Sequence, residues 1–128
     1  MSLKPEQIEH INVINWFNYT FPELEGDMHH FANERKCSQQ EGRTLKRMGV
    51  KKGVADFFLA YPADGYHGFW LELKVGKNKL TQEQQDFLSR KSSRGYLCAS
   101  CWGLEDAKEL ILTYLRNYKK NTTPIGCI

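Results

Sequence analysis

Residues 54–74 read VADFFLAYPADGYHGFWLELK, and the fold turns on how this stretch divides. Val54 to Ala60 and Gly68 to Lys74 are short segments rich in aromatic and branched residues. Between them lies Tyr61-Pro62-Ala63-Asp64-Gly65-Tyr66-His67, a run of strong turn formers. The division predicts a β-hairpin. Side chains alternate across a strand, so Phe69, Leu71 and Leu73 share one face and Trp70, Glu72 and Lys74 the other. On the first strand the same rule separates Ala55, Phe57 and Leu59 from Val54, Asp56 and Phe58, which leaves Asp56 alone among apolar residues. A hairpin symmetric about Asp64 pairs residues whose numbers sum to 128, setting Asp56 opposite Glu72 and Val54 opposite Lys74 unless a bulge shifts the register.

Directly opposed carboxylates have β-carbons about 5 Å apart, where like charges destabilise a sheet unless something offsets their repulsion. A divalent cation does that. Hard oxygen ligands select Mg²⁺ or Mn²⁺, held by one or two carboxylates with waters retained for other partners. The implied chemistry is phosphate-ester hydrolysis: the ion acidifies a water and neutralises the scissile phosphate, and Lys74 orients that water and stabilises the pentavalent state. The alternative is a solvated sheet face with Lys74 as a diagonal ion-pair partner. The apolar company of Asp56 and the convergence of three suitable charged groups count against it.

Working outward, Pro5 to Tyr19 is expected to be helical, with Ile8, Ile11, Ile14 (or Val13) and Phe17 at helical spacing and Pro5 tolerated in the first turn. Asp27 to Ala32 suits a short strand, and Ser38 to Met48 a second helix stopped by Gly49. Thr81 and Gln84 form a capping box for a helix from Gln82 to about Lys91, and a strand follows from Gly95 to Trp102. The last segment puts Leu104, Ala107, Leu110, Ile111, Tyr114, Leu115 and Tyr118 on one helical face. The order suggests an α/β fold, a small mixed sheet flanked by helices.

A chain of 128 residues, 41% of them hydrophobic, suits a single domain burying roughly two thirds of its unfolded surface. Lys4, Glu6 and Glu9 stand where a signal peptide needs an apolar stretch, and no apolar run approaches the roughly 18 residues of a membrane span. A cytoplasmic protein is expected. Cys98-Ala-Ser-Cys101 invites a redox or zinc reading, but strand residues three apart face opposite ways about 10 Å apart, beyond the roughly 7 Å limit for bridging. His29 and His30, adjacent in a strand, likewise cannot both ligate one ion. Net charge is only +3, yet Arg35 to Lys52 holds seven basic residues (Arg35, Lys36, Arg43, Lys46, Arg47, Lys51, Lys52) against one acid, Glu41. That is either a phosphate-binding face or a solvated helix surface.

Asp56 followed by Glu72-Leu73-Lys74 resembles the D…(D/E)xK signature of restriction-like nucleases, the PD-(D/E)xK superfamily. The text around it is similar to the stand-alone VRR-NUC nucleases of bacteriophages: Leu45-Lys46-Arg47-Met48-Gly49-Val50-Lys51-Lys52-Gly53-Val54-Ala55-Asp56, Gly68 to Lys74, Leu80-Thr81-Gln82-Glu83-Gln84 and Gly95-Tyr96. Ala55 departs from it, standing where the family usually has proline; that proline shapes backbone and supplies no ligand. The resemblance implies a restriction-endonuclease-like core and a metal-dependent endodeoxyribonuclease acting on branched DNA such as four-way (Holliday) junctions, working as a homodimer. Asp56, Glu72 and the carbonyl of Leu73 would hold Mg²⁺ or Mn²⁺, Lys74 would be the catalytic lysine, and Gln84 would reach the site. An acid from the first helix would join them, Glu6 in preference to Glu9 by its distance to Trp16. Asn33, Glu34 and Arg35 either resemble a loop near substrate in relatives or form an ordinary polar turn; on the phosphate-binding reading of the basic stretch, Arg43, Lys46, Arg47, Lys51 and Lys52 are the DNA contacts. The rival reading is a non-catalytic DNA-binding module that keeps the fold.

Overall fold

The computed structural model describes residues 2–32 and 37–119. Helix α1 (Pro5–Thr20) and a 3₁₀ turn (Pro22–Asp27) precede strand β1 (Met28–His30). Helix α2 (Gln39–Arg47), strands β2 (Phe57–Leu59) and β3 (Phe69–Lys74), helix α3 (Gln82–Ser93), strand β4 (Leu97–Trp102) and helix α4 (Leu104–Tyr114) follow. The sheet runs β1-β2-β3-β4, antiparallel across the first two contacts and parallel across the last. This is the expected small mixed sheet flanked by helices.

The hairpin has the predicted register: Phe57 faces Leu71, Phe58 faces Trp70 and Leu59 faces Phe69. Asp64 and Gly65 both take positive φ, 53° and 85°, at the tip, which matches the right-handed strand twist and explains the Asp-Gly pair there. The turn is pinned to α4 by Tyr114, whose hydroxyl donates to Tyr61 O at 2.7 Å and accepts from Ala63 N at 3.1 Å.

One sheet face carries Phe57, Leu59, Phe69, Leu71, Leu73 and Cys101 into the core, where α1 and α4 supply Val13, Phe17, Ala107, Ile111 and Tyr114. The other face carries Phe58, stacked on Trp70 at 4.2 Å, and Trp70 meets Phe87 of α3 edge-on. Gly53, with φ of +84°, brings the segment before Asp56 against the start of α3: a β-carbon there would stand 2.5 Å from the Glu83 carbonyl. Only glycine fits both demands.

Three expectations need correcting. Ile8 and Ile11 do not face the core; each is 45% exposed, and the buried stripe of α1 runs instead through His10, Val13 and Phe17. The first hairpin strand begins at Phe57 rather than Val54, for a reason found at the site below. The last helix ends at Tyr114, yet Tyr118 still packs on Phe21 and Tyr61 from the turn that follows. Cys98 and Cys101 are free, and burial pushes their thiols up to about 11 and about 12, far from the acidity redox or metal chemistry needs. Among the described residues no helix is long and apolar enough to cross a membrane.

Candidate active site at the open end of the hairpin

Residues 57 and 59 turn their backbone groups toward β3, so a ladder continued by one more step would pair Ala55 with Leu73. Instead Leu73 N donates to Asp56 Oδ2 at 2.9 Å. The Asp56 side chain has taken the acceptor role a backbone carbonyl would have played, and the strand stops there. Because N–H and C=O of one strand residue point to the same side, the Leu73 carbonyl is turned toward this gap as well.

Glu72 lies on the same face as Asp56 and is 2% exposed. Its Oε2 accepts from Gln84 Nε2 at 3.1 Å and lies 3.6 Å from Lys74 Nζ. Its Oε1 is buried with no hydrogen-bond partner among the described residues. Gln84 serves two masters: Oε1 accepts from Thr81 N at 2.9 Å, completing the capping box of α3, while Nε2 reaches the site. The helix cap thus aims the site's donor.

The two carboxyl groups differ in charge. Burial and then the charge of Asp56 raise Glu72 to about 8, against a smaller pull from Lys74. Burial also pushes Asp56 up, but His10 and the Leu73 N–H outweigh it and hold that carboxyl below its ordinary range. Near neutral pH the pair therefore keeps one proton between two acids. An orphaned carboxylate oxygen, two adjacent carboxyls and a strand carbonyl make a hard donor set that fits a divalent cation.

The helix α1 brings in Glu6, as expected, and also His10, which was not anticipated. His10 Nε2 lies 3.6 Å from Asp56 Oδ2 and 3.9 Å from Glu6 Oε1. The ligand atoms of Glu6, His10 and Asp56 all fall within 4.8 Å of one another, a group that could hold a metal ion; Glu9 is not in it. Behind His10, its Nδ1 is 3.0 Å from His30 Nε2. Burial and the neighbouring His10 lower the His30 pKa. His29 faces away, opposite Phe58, whereas His30 is opposite Phe57. The spacing Glu6, His10, Val13, Phe17 is itself one helical stripe, and the three isoleucines of α1 masked it.

Arg43, Lys46, Arg47, Lys51 and Lys52 are all exposed, and α2 buries none of its residues. Asn33, Glu34 and Arg35 lie outside the described residues.

No family model matches the chain, and no curated protein matches it. A solved structure described as a VRR_NUC domain protein is similar in fold, with a TM-score of 0.77 over 91% of this chain and 92% of that one, at 24% identity. The chain therefore has the nuclease-like α/β fold of that protein.

Proposed function

We propose that this protein is a divalent-metal-dependent endodeoxyribonuclease that hydrolyses phosphodiester bonds at the open end of the hairpin. The observation that carries the reading is the buried Asp56–Glu72 pair, with an orphan oxygen on Glu72 and Lys74 beside it. Asp56, Glu72 and the Leu73 carbonyl would hold Mg²⁺ or Mn²⁺. When bound, such an ion supplies positive charge to the scissile phosphate and acidity to a water. Lys74 points its ammonium group at the same place, where it orients the attacking water and stabilises charge gathering on the phosphoryl oxygens. Gln84 fixes the Glu72 carboxylate, and Glu6 adds a further carboxylate from α1.

Arg43, Lys46, Arg47, Lys51 and Lys52, with Asn33, Glu34 and Arg35, would form the DNA path leading to Asp56, with phosphate contacts supplying most of the affinity. A PD-(D/E)xK enzyme of the stand-alone phage VRR-NUC type acting in the cytoplasm on branched DNA fits this arrangement. One site per chain suits a homodimer on a symmetric junction, and the exposed Ile8 and Ile11 of α1 offer apolar surface for it.

The test is to incubate the purified chain with linear, flapped and four-way DNA in Mg²⁺, Mn²⁺ or EDTA. Cleavage with either ion, lost in EDTA and strongest on the branched substrates, is expected. Binding without cleavage under every ion would instead establish a non-catalytic DNA-binding module on a nuclease fold.

A further inference from the structure

The stripe of α1 that turns inward begins with an acid and an imidazole and continues as core. At its head, His10 Nε2 stands 3.6 Å from Asp56 Oδ2 and 3.9 Å from Glu6 Oε1. Both separations exceed a good hydrogen bond. They are close to the spacing of ligands around one ion, since donors bound at about 2.0–2.2 Å and spread at tetrahedral to trigonal angles stand about 3.3–3.8 Å apart.

The ring is also held from behind. His10 Nδ1 lies 3.0 Å from His30 Nε2, and the two rings meet edge to face at 4.8 Å, each also touching Phe57. A histidine that ligates a metal characteristically has its other ring nitrogen tied to a second partner, which fixes the tautomer and aims the lone pair. With a cation at Nε2, the proton of the His10 ring would sit on Nδ1 and be donated to His30 Nε2.

We propose that Glu6, His10 and Asp56 form a second cation position with one nitrogen and two oxygen donors, taking a borderline divalent ion such as Zn²⁺ or Co²⁺, or the harder Mn²⁺ more weakly, in preference to Mg²⁺. Asp56 is common to this position and to the all-oxygen one it shares with Glu72, so the inference rests on the reading of that pair given above. Imidazole is the deciding donor: it suits Zn²⁺, Cu²⁺ and Ni²⁺ among divalent ions and does little for Mg²⁺, which prefers oxygen. His30 is a positioning residue that acts through His10.

The experiment is metal binding by the full chain, stripped of metal and loaded with Mn²⁺, followed by calorimetry for stoichiometry and pulsed electron paramagnetic resonance for imidazole nitrogen at the ion. Wild type is expected to bind two Mn²⁺, one of them nitrogen-coordinated and resistant to excess Mg²⁺. His10→Gln should bind one and lose the nitrogen signal. His30→Gln should keep the nitrogen signal but bind that ion about 10- to 100-fold more weakly, a change that mere packing by His30 would not produce. Nitrogen coordination or a second Mn²⁺ persisting in His10→Gln overturns the inference and leaves the proposed nuclease site standing. Conversely, if Glu72→Gln binds as many ions as wild type while the nitrogen-coordinated ion stays, the Asp56–Glu72 reading fails and the His10 position survives. If His10→Gln does not fold, wild type labelled with ¹⁵N-histidine decides the matter: absence of an imidazole signal overturns the proposal.

Discussion

The carboxylate pair and the basic stretch from Arg43 to Lys52 belong to one proposed function, yet they sit in the molecule in opposite ways. Asp56 and Glu72 are 7% and 2% exposed and bonded to a strand amide and a helix cap. The basic residues are exposed, Arg43, Lys46 and Arg47 on a helix that buries nothing and Lys51 and Lys52 in the segment after it. If the proposed chemistry is built into the elements, substitutions there should alter stability and turnover together. If substrate capture is laid on the surface, substitutions there should alter binding and little else.

The largest effect expected at the buried end is loss of cleavage in both Asp56→Ala and Glu72→Ala, measured on branched DNA with Mg²⁺. Their stabilities should diverge. Asp56→Ala strands the Leu73 N–H, a buried donor, at a cost of about 1–3 kcal/mol in metal-free thermal unfolding. Either variant cleaving at near the wild-type rate would sink the site assignment.

Glu72→Gln should do the reverse without metal. Glu72 holds its proton more tightly folded than unfolded, so the stability it lends is complete below about pH 4.5 and is lost as pH rises through about 8. Metal-free wild type should therefore weaken across that window relative to Glu72→Gln. Parallel unfolding midpoints for the two proteins from pH 4 to 9 would contradict it.

Lys74→Ala should lose turnover and keep Mn²⁺ affinity in calorimetric titration, because an ammonium group cannot ligate a cation. Collapse of both would mean that Lys74 organises Glu72 rather than the reaction. Gln84→Glu gives a finer cut. A capping box accepts Glu as readily as Gln, so α3 should stay capped. The donor to Glu72 would be replaced by a third carboxylate, so turnover should fall while helix content by circular dichroism holds.

The smallest effects belong to the surface. Arg43→Ala/Lys46→Ala/Arg47→Ala, in a cleavage-dead background, should weaken binding to every DNA and flatten log affinity against log salt by about one unit per lost phosphate contact. Coincident slopes would make the stretch a solvated face.

What could be read in advance was whatever local chemistry determines. Asp64-Gly65 sets the hairpin turn, the turn sets the register, and the register carries Asp56 toward Glu72 on one face. Thr81 and Gln84 announce the start of α3. What could not be read depends on segments remote in sequence. The phase of α1 was ambiguous because Ile8 and Ile11 compete with His10 and Val13 for the inward face, and burial was decided by β1 and β2 arriving from elsewhere. The early end of the hairpin ladder was hidden too, since a side chain displaced the backbone acceptor.

That displaced acceptor has a use. Because Leu73 N donates to an oxygen that also belongs to both proposed cation positions, one backbone amide would serve as an internal gauge of them. Its proton exchange rate and ¹⁵N shift report how much electron density Asp56 has left to share. Occupancy of the site can thus be followed at a single main-chain resonance, with no substrate present and no label attached to a catalytic group.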